Sequence, residues 1–391
     1  MSIANTAGPA PAPQKTGDDG RRGKLVVLLV VLLIVIALLT TILIIYLINP
    51  GPLPDLLPLD LDYEPHYLFS IYEVDQPVGI AVSPDDELIY VTESGGERLV
   101  KIFDRGGELL GSFFAAGTNA SSRSPVYLDT DTAGRVYVTD RLQHAIMVFD
   151  SRGIHVDTIL DPNDTLSEYV ASSECGLEQG TSFSFNAFEG LVRCTPPGGS
   201  EQTLHFPPVD NWSPLGIRID DADKFLVTDV LAEAHRVHVG ESSAGPAQLS
   251  LAALTGGATG QEPDQLLFPN VAVSDSQGRV YVTDGNNGRV SIWDPQGRHL
   301  GSIGTGGGAG ALSLPRGATV TDRDRLHVVD AVGQDIKVYD VSGGEPEFLF
   351  SFGDEGLEDG EFRFPGDVAV DSTGRLYVTD RENNRIQVWS Y

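Results

Sequence analysis

Several residue types are scarce in this 391-residue chain: two cysteines, two methionines, three tryptophans and five lysines. Two cysteines exclude the dense disulfide framework of a small secreted scaffold and a four-cysteine zinc site. One bridge is the most the chain can form, between Cys175 and Cys194. No histidine lies between or beside them, so that pair offers no metal site. Only Lys101, Lys224 and Lys337 follow residue 48. With 26 basic residues against 55 acidic ones the formal charge is −29. Nucleic acids and anionic lipids are bound through cationic surface, so neither is an expected partner. No nucleophile elbow, phosphate loop or metalloprotease motif is present. Apolar residues at helical spacing are absent outside one segment, and that segment is also the only long hydrophobic run.

A repeated unit fills most of the rest. Copies begin at Pro77, Pro125, Pro214, Pro269, Pro315 and Pro365, and a period of roughly 45 residues signals a solenoid, propeller or array. In the last copy three alternating runs occupy 367–371, 375–379 and 385–389. Alternating β-branched and aromatic residues suit pleated, half-buried strands. Asp-x-x-Gly joins the first two runs at 131–134, 275–278 and 371–374, and follows the third at 104–107, 150–153 and 294–297. Aspartate at the head of such a turn bonds back to the backbone, and glycine takes the left-handed position. A fourth run follows there, as at 298–303. Four short antiparallel strands per unit describe a propeller blade. The fold class expected is therefore all-β, a six-bladed β-propeller. The last copy stops after three strands, and the run near 68–73 is expected to supply the fourth, so that the ring has no open edge.

Gly374-Arg375-Leu376-Tyr377-Val378-Thr379-Asp380, followed by Asn383-Asn384-Arg385-Ile386, resembles the NHL repeat. The resemblance is strong in the second, fourth and sixth units. It is weaker in the third, which keeps Asp229 and Arg236, and in the fifth, where Asp335 stands in the place of the usual arginine. It implies a six-bladed propeller and no single activity, since one fold hosts many functions.

Residues 25–48 form an unbroken, uncharged apolar run, long enough at about 1.5 Å per residue to span a bilayer. Asn49-Pro50-Gly51 does not resemble a signal-peptidase site, so a retained signal anchor is expected. Arg21, Arg22 and Lys24 precede the run; Asp55, Asp60, Asp62 and Glu64 follow it. The positive flank stays inside, which predicts a cytoplasmic N-terminus and an extracytoplasmic propeller on a single-pass anchor in the cell membrane. Residues 1–24 read as a short disordered tail and 49–65 as a Pro-rich linker spanning about 45 Å. Outside the cytosol a Cys175–Cys194 disulfide is expected. Asn119, Asn163 and Asn211 begin N-x-S/T sequons.

The propeller domain is taken as 66–391, with its extra segment at about 161–212 between the second and third units. That segment is expected on the top face as an ordered lid or rim, with Phe183, Phe185 and Phe188 anchoring it or meeting a partner. Position after each proline places Asn270, Arg316 and Asp367 at the channel mouth, with Tyr127 beside them. Arg316 and Asp367 are expected to form a ligand clamp or an internal ion pair. The loops after the second strands add Asn286, Asn287, Arg381 and Asn383 to the same face. The repeated Asp140, Asp229, Asp284, Asp330 and Asp380 read as structural acceptors. No residue is assigned a catalytic role and no cofactor or metal is expected. Six-bladed lactonases hold a divalent ion through Glu, Asn and Asp, but only Asn270 and Asp367 suit that role and Arg316 opposes it. Peptidyl-hydroxyglycine lyases use three cavity histidines, and no spacing gathers three of the eight here; His327 takes the place of Tyr377 as a packing residue. A tethered module binding a protein, peptide or glycan through its top face is the function expected. A metal-dependent propeller hydrolase or lyase is the alternative.

Overall fold

The computed structural model describes residues 19–48, 63–171, 181–186, 190–205, 212–232, 234–241, 251–256 and 258–391. It divides into two units, Met1–Leu53 and Pro54–Tyr391. Residues 1–18 of the expected tail, most of the Pro-rich linker, Cys175, Phe188 and Asn211 lie outside the described residues, as does the side chain of Phe183; residues 19–24, expected as disordered tail, are helical.

The first unit contains an α-helix, Asp19–Ile48. Leucine, valine and isoleucine run along it on every side, and its polar Thr40 and Thr41 turn their hydroxyls back to the carbonyls of Ile36 (2.7 Å) and Ala37 (2.9 Å). A threonine that bonds one turn back within its own helix asks nothing of its surroundings. Side chains are described from 27 to 41 and all are exposed. Over the described residues no helix is long and apolar enough to cross a membrane.

The described residues of the second unit are all β apart from one short α-helix and single 3-10 turns. They form six four-stranded antiparallel sheets, one three-stranded sheet and one two-stranded sheet. The first four-stranded sheet takes Pro77–Val82, Leu88–Glu93, Val100–Asp104 and Leu109–Phe113 in order. The next four open on Pro125–Thr130, Pro214–Ile219, Pro269–Ser274 and Pro315–Val320 and are built in the same up-and-down order. The sixth opens on Pro365–Val370 and receives its outer strand from far upstream. His66–Ile71 pairs with Arg385–Ser390, His66 opposite Ser390 and Ile71 opposite Ile386. The first strands neighbour one another in sequence order, and that of the sixth sheet neighbours that of the first, so the circuit is closed.

Two devices let the first strands approach. Each is bulged: Pro77 faces Glu93 while Ile80 faces Val91, and the same extra residue recurs in the other five. Glycine then sits at the closest contacts. A Cβ on Gly216 would stand 1.9 Å from the carbonyl oxygen of Asn270, and one on Gly79 2.4 Å from that of Val126. The contact is sealed by the buried threonine ending each second strand. Thr139 Oγ1 accepts from the amide of Tyr127 in its own sheet (3.1 Å) and donates to the carbonyl of Leu215 in the next (2.6 Å). Thr92, Thr228, Thr283 and Thr379 repeat the bond to Val126, Asn270, Arg316 and Val78. In the fifth sheet the place belongs to buried Val329.

The aspartate after that threonine is a loop staple. Asp140 accepts from the amides of Ser124, Leu142 and Gln143, Asp284 from Leu267, Asn287 and Arg289, and Asp380 from Arg363, Asn383 and Arg385. Glu93 does this in the first sheet, accepting from Asp75. Tyr137, Tyr281 and Tyr377 are buried between sheets and donate to the turn aspartates Asp131, Asp275 and Asp371. His327 replaces them in the fifth sheet; it is fully buried and bonds the Tyr391 hydroxyl at 2.5 Å.

The segment at 161–212 is more regular than a loop. It holds the α-helix Leu166–Ala171 and a three-stranded antiparallel sheet, Ser182–Asn186, Leu191–Thr195 and Gln202–His205. A reciprocal capping box, Thr165 with Glu168, starts the helix, and Ser167 ties it to Asp157 (2.6 Å). Phe185, Val192, Cys194 and Leu166 join Phe113, Ala115 and Phe149 in one apolar cluster. Phe185 is therefore an anchor. Cys194 is 1% exposed and is not a free thiol.

Candidate functional site

The chain turns at one end of the second unit place the loop before each first strand beside the loop after each second strand. The amides of Arg141, Val230, Asn286, Ala331 and Glu382 donate to the carbonyls of Ser124, Ser213, Leu267, Leu314 and Arg363. This end is the top face, and it surrounds the mouth of the circuit of first strands.

Three expected residues meet there. Asn270 is buried; its amide nitrogen donates to the carbonyls of Phe268 (3.3 Å) and Pro315 (3.2 Å). Its Oδ1 is 3.5 Å from both the Tyr127 hydroxyl and Arg316 Nη1. Asparagine thus holds a tyrosine from the second sheet and an arginine from the fifth in one polar group. Burial raises the Tyr127 phenol above its ordinary pKa.

Asp367 does not pair with Arg316. Its partner is Arg218, four residues after Pro214, whose guanidinium contacts Asp367 Oδ1 and donates to the carbonyls of Ala318 (3.2 Å), Ile217 (3.0 Å) and Leu128 (3.4 Å). One cation therefore ties the second, third, fifth and sixth first strands together. Asp367 also accepts from the amides of Ile80 (3.1 Å) and Val368 (2.9 Å). Asp129 joins this group from the second sheet, accepting from Ile219 at 2.8 Å. Removal from bulk water pushes both carboxyls up to about 6, against the pull of Arg218.

The loop asparagines behave differently from one another. Asn287 is spent on Asp284 (2.7 Å) and the Gly260 carbonyl (3.0 Å), and Asn383 on Asp380 and the Gly356 carbonyl (both 2.9 Å). Asn286 is exposed. Arg381 instead reaches the mouth, 5.8 Å from the ring centre of Phe364, and Arg316 lies over the same ring at 5.6 Å. Beside Phe364 is a cleft of about 310 Å³ lined by Gln334, Glu355, Arg363, Phe364, Arg381 and Glu382.

Phe364 and Phe268, each just before a first-strand proline, are functional candidates the sequence reading passed over. Both are half-buried and hold left-handed backbone, φ 52° and 62°. Bulky residues rarely adopt that region, and such strain gathers at functional sites. Phe268 also has a guanidinium over it, Arg141 at 5.5 Å. The Phe-Pro pair recurring at 268–269 and 364–365 was the available signal.

Among the described residues no three His, Cys, Asp or Glu side chains are grouped to hold a metal ion. His238 is occupied by Asp229 (3.1 Å) and His235 accepts from the Phe268 amide (3.0 Å).

Repeating antiparallel sheets whose first strands close a circuit define a repeat β-propeller. The NHL repeat family model matches residues 362–389. Among solved structures, a streptogramin B lyase is 11% identical, with 84% of this chain and 96% of that one covered at a TM-score of 0.48. Virginiamycin B lyase from Staphylococcus aureus is 12% identical over 84% of this chain and 99% of its own, at the same TM-score. A protein of unknown function from Bacteroides caccae follows at 10% identity, 74% and 81% coverage and a TM-score of 0.46. At these values the likeness says nothing of this chain's chemistry.

Proposed function

We propose that this chain is a membrane-tethered, extracytoplasmic binding module: a propeller of six blades, one per four-stranded sheet, whose top face holds a protein, peptide or glycan ligand. The observation that carries the reading is the mouth itself. Asn270, Tyr127 and Arg316 converge from three sheets beside an aromatic residue held in strained backbone, with a cleft next to it. The uncharged run at 25–48, preceded by Arg21, Arg22 and Lys24, supports a signal anchor with the propeller outside. An oxidising compartment suits a Cys175–Cys194 bridge, and Cys194 is buried and not free. The metal-dependent hydrolase or lyase would draw on Asn270 and Asp367, and Asp367 already answers Arg218.

Capture of cross-linked partners from intact membranes tests the reading, comparing the full chain with Tyr127→Phe and Arg316→Ala. Deleting 161–212 would strip Phe185 and Val192 from the core and confuse binding with folding. The variants are expected to melt close to the parent and to lose the captured partner. Undiminished capture by both would refute the top face as the binding surface.

A further inference from the structure

Arginine in this propeller is habitually paired. Arg105 meets Asp371 at 2.8 Å, Arg279 meets Asp275 at 2.6 Å, Arg289 meets Asp284 at 2.9 Å and Arg385 meets Asp380 at 2.7 Å. A chain with 55 acidic residues has carboxylates to spare. At the mouth the habit breaks. Arg316 meets neutral partners, the Oδ1 of Asn270 at 3.5 Å and the Tyr127 hydroxyl, and its Nε is buried without a hydrogen-bond partner. Arg381 comes no nearer to a carboxylate than 4.0 Å, at Glu382, and its Nε is likewise buried and unpartnered. Both guanidiniums lean on one ring, Phe364, and Arg363 stands in the adjoining cleft. Phe364 is fixed in that place by Gln334, whose Oε1 accepts its amide at 2.6 Å.

Gathering like charges while leaving buried N–H groups unsatisfied costs stability. An arriving acid group would relieve both costs. We infer that the cleft beside Phe364 binds a carboxylate-bearing segment of an acidic peptide, with Arg381 in its lining and Arg316 over the same ring beside it as the cationic anchors. Guanidinium forks match carboxylates in plane and spacing. Glu355 and Glu382, exposed residues of the same lining, admit one or two acid groups and repel a polyanion. A volume of about 310 Å³ takes a side chain or two. With arginines over the Phe364 ring, it offers no free platform for stacking a sugar. This assignment rests on the top-face reading above.

The test uses the full-length chain in detergent and a fluorescent, end-capped Gly-Glu-Glu-Gly peptide, with Gly-Gln-Gln-Gly as its neutral twin. The acidic peptide is expected to bind, more weakly as salt rises, and the neutral one not. Arg381→Gln and Arg316→Gln each remove a charged hydrogen bond, so each is expected to weaken binding about tenfold or more. Arg152→Gln, in an exposed turn with Asp150, is expected to leave it unchanged. No binding of the acidic peptide, equal binding of its neutral twin, or indifference to both mouth substitutions would overturn the assignment. Should the mouth variants lose the captured membrane partner while the acidic peptide is ignored, the carboxylate assignment falls and the top-face reading stands.

Discussion

Replacing Thr139 by valine keeps the shape of a fully buried side chain and deletes one oxygen. That oxygen now takes the Tyr127 amide at 3.1 Å and gives its proton to the Leu215 carbonyl at 2.6 Å, joining the second sheet to the third. Valine leaves both backbone groups short of a partner in a dry contact. Each buried group left unsatisfied costs about 1–3 kcal/mol. With partial relaxation the variant is expected to lose about 2–3 kcal/mol. In a domain of this size about 1 kcal/mol moves Tm by roughly 2 °C, so a fall of about 4–6 °C is expected in a thermal melt followed by far-ultraviolet circular dichroism. Thr139→Ser keeps the oxygen and loses only a methyl, so it should melt closer to the parent than the valine variant does. A valine variant that melts with the parent, or a serine variant that falls as far, would refute the role given to the hydroxyl.

Arg218→Met strands the buried Asp367 carboxylate, and breaking such a pair from one side costs about 3–5 kcal/mol; adding Asp367→Asn should recover most of the lost melting temperature, and a single variant as stable as the parent would contradict the tie. Asp129, Asp140 and Asp367 have carboxyls pushed up to about 6, chiefly by burial. A folded pKa above the unfolded one means that this stability is present at low pH and is lost as pH rises through about 6. His155 and His327, held down to about 4 by burial, act in the opposite sense over the same interval, so the reading is differential: relative to the parent, Asp140→Asn should gain less Tm, or lose more, from pH 7 to pH 5, and a variant whose Tm follows pH as the parent's does would exclude the assignment. Removing residues 63–73 bares the Arg385–Ser390 strand, an unpaired edge that templates association. Lower melting and increased light scattering are expected, and a deletion that melts unchanged would deny the strand its closing part.

The sheets were legible because two local rules agree in most copies: alternation over five or six residues, and Asp-x-x-Gly between runs. Asn270, Tyr127 and Arg316 approach one another because each sits one or two residues after a first-strand proline. Arg218 was missed, and the reason is geometric. A bulge inserts one residue after each proline, so counting forward by strict alternation loses its phase. Asp367, two past its proline, and Arg218, four past, then come into contact across the circuit. The small sheet at 182–205 was hidden for a different reason. Its strands carry serine, asparagine, arginine and glutamine among a few apolar residues, and only burial of Phe185, Val192 and Cys194 against neighbouring sheets makes them strands. Asn287 and Asn383 looked like surface ligands because a sequence does not show that a neighbouring aspartate will consume an amide.

The sixth sheet unites a strand near residue 70 with one ending at residue 390. During synthesis the upstream strand emerges some three hundred residues before its mate, so it waits through almost the whole of translation with its backbone groups unclaimed. Five sheets can assemble in the interval, but the hoop can lock only when the final stretch has been delivered. A molecule interrupted before residue 385 would carry five of the four-stranded sheets and still present two raw margins to its neighbours. Closure of the circuit is thus registered physically, by one antiparallel pairing between strands far apart in the sequence.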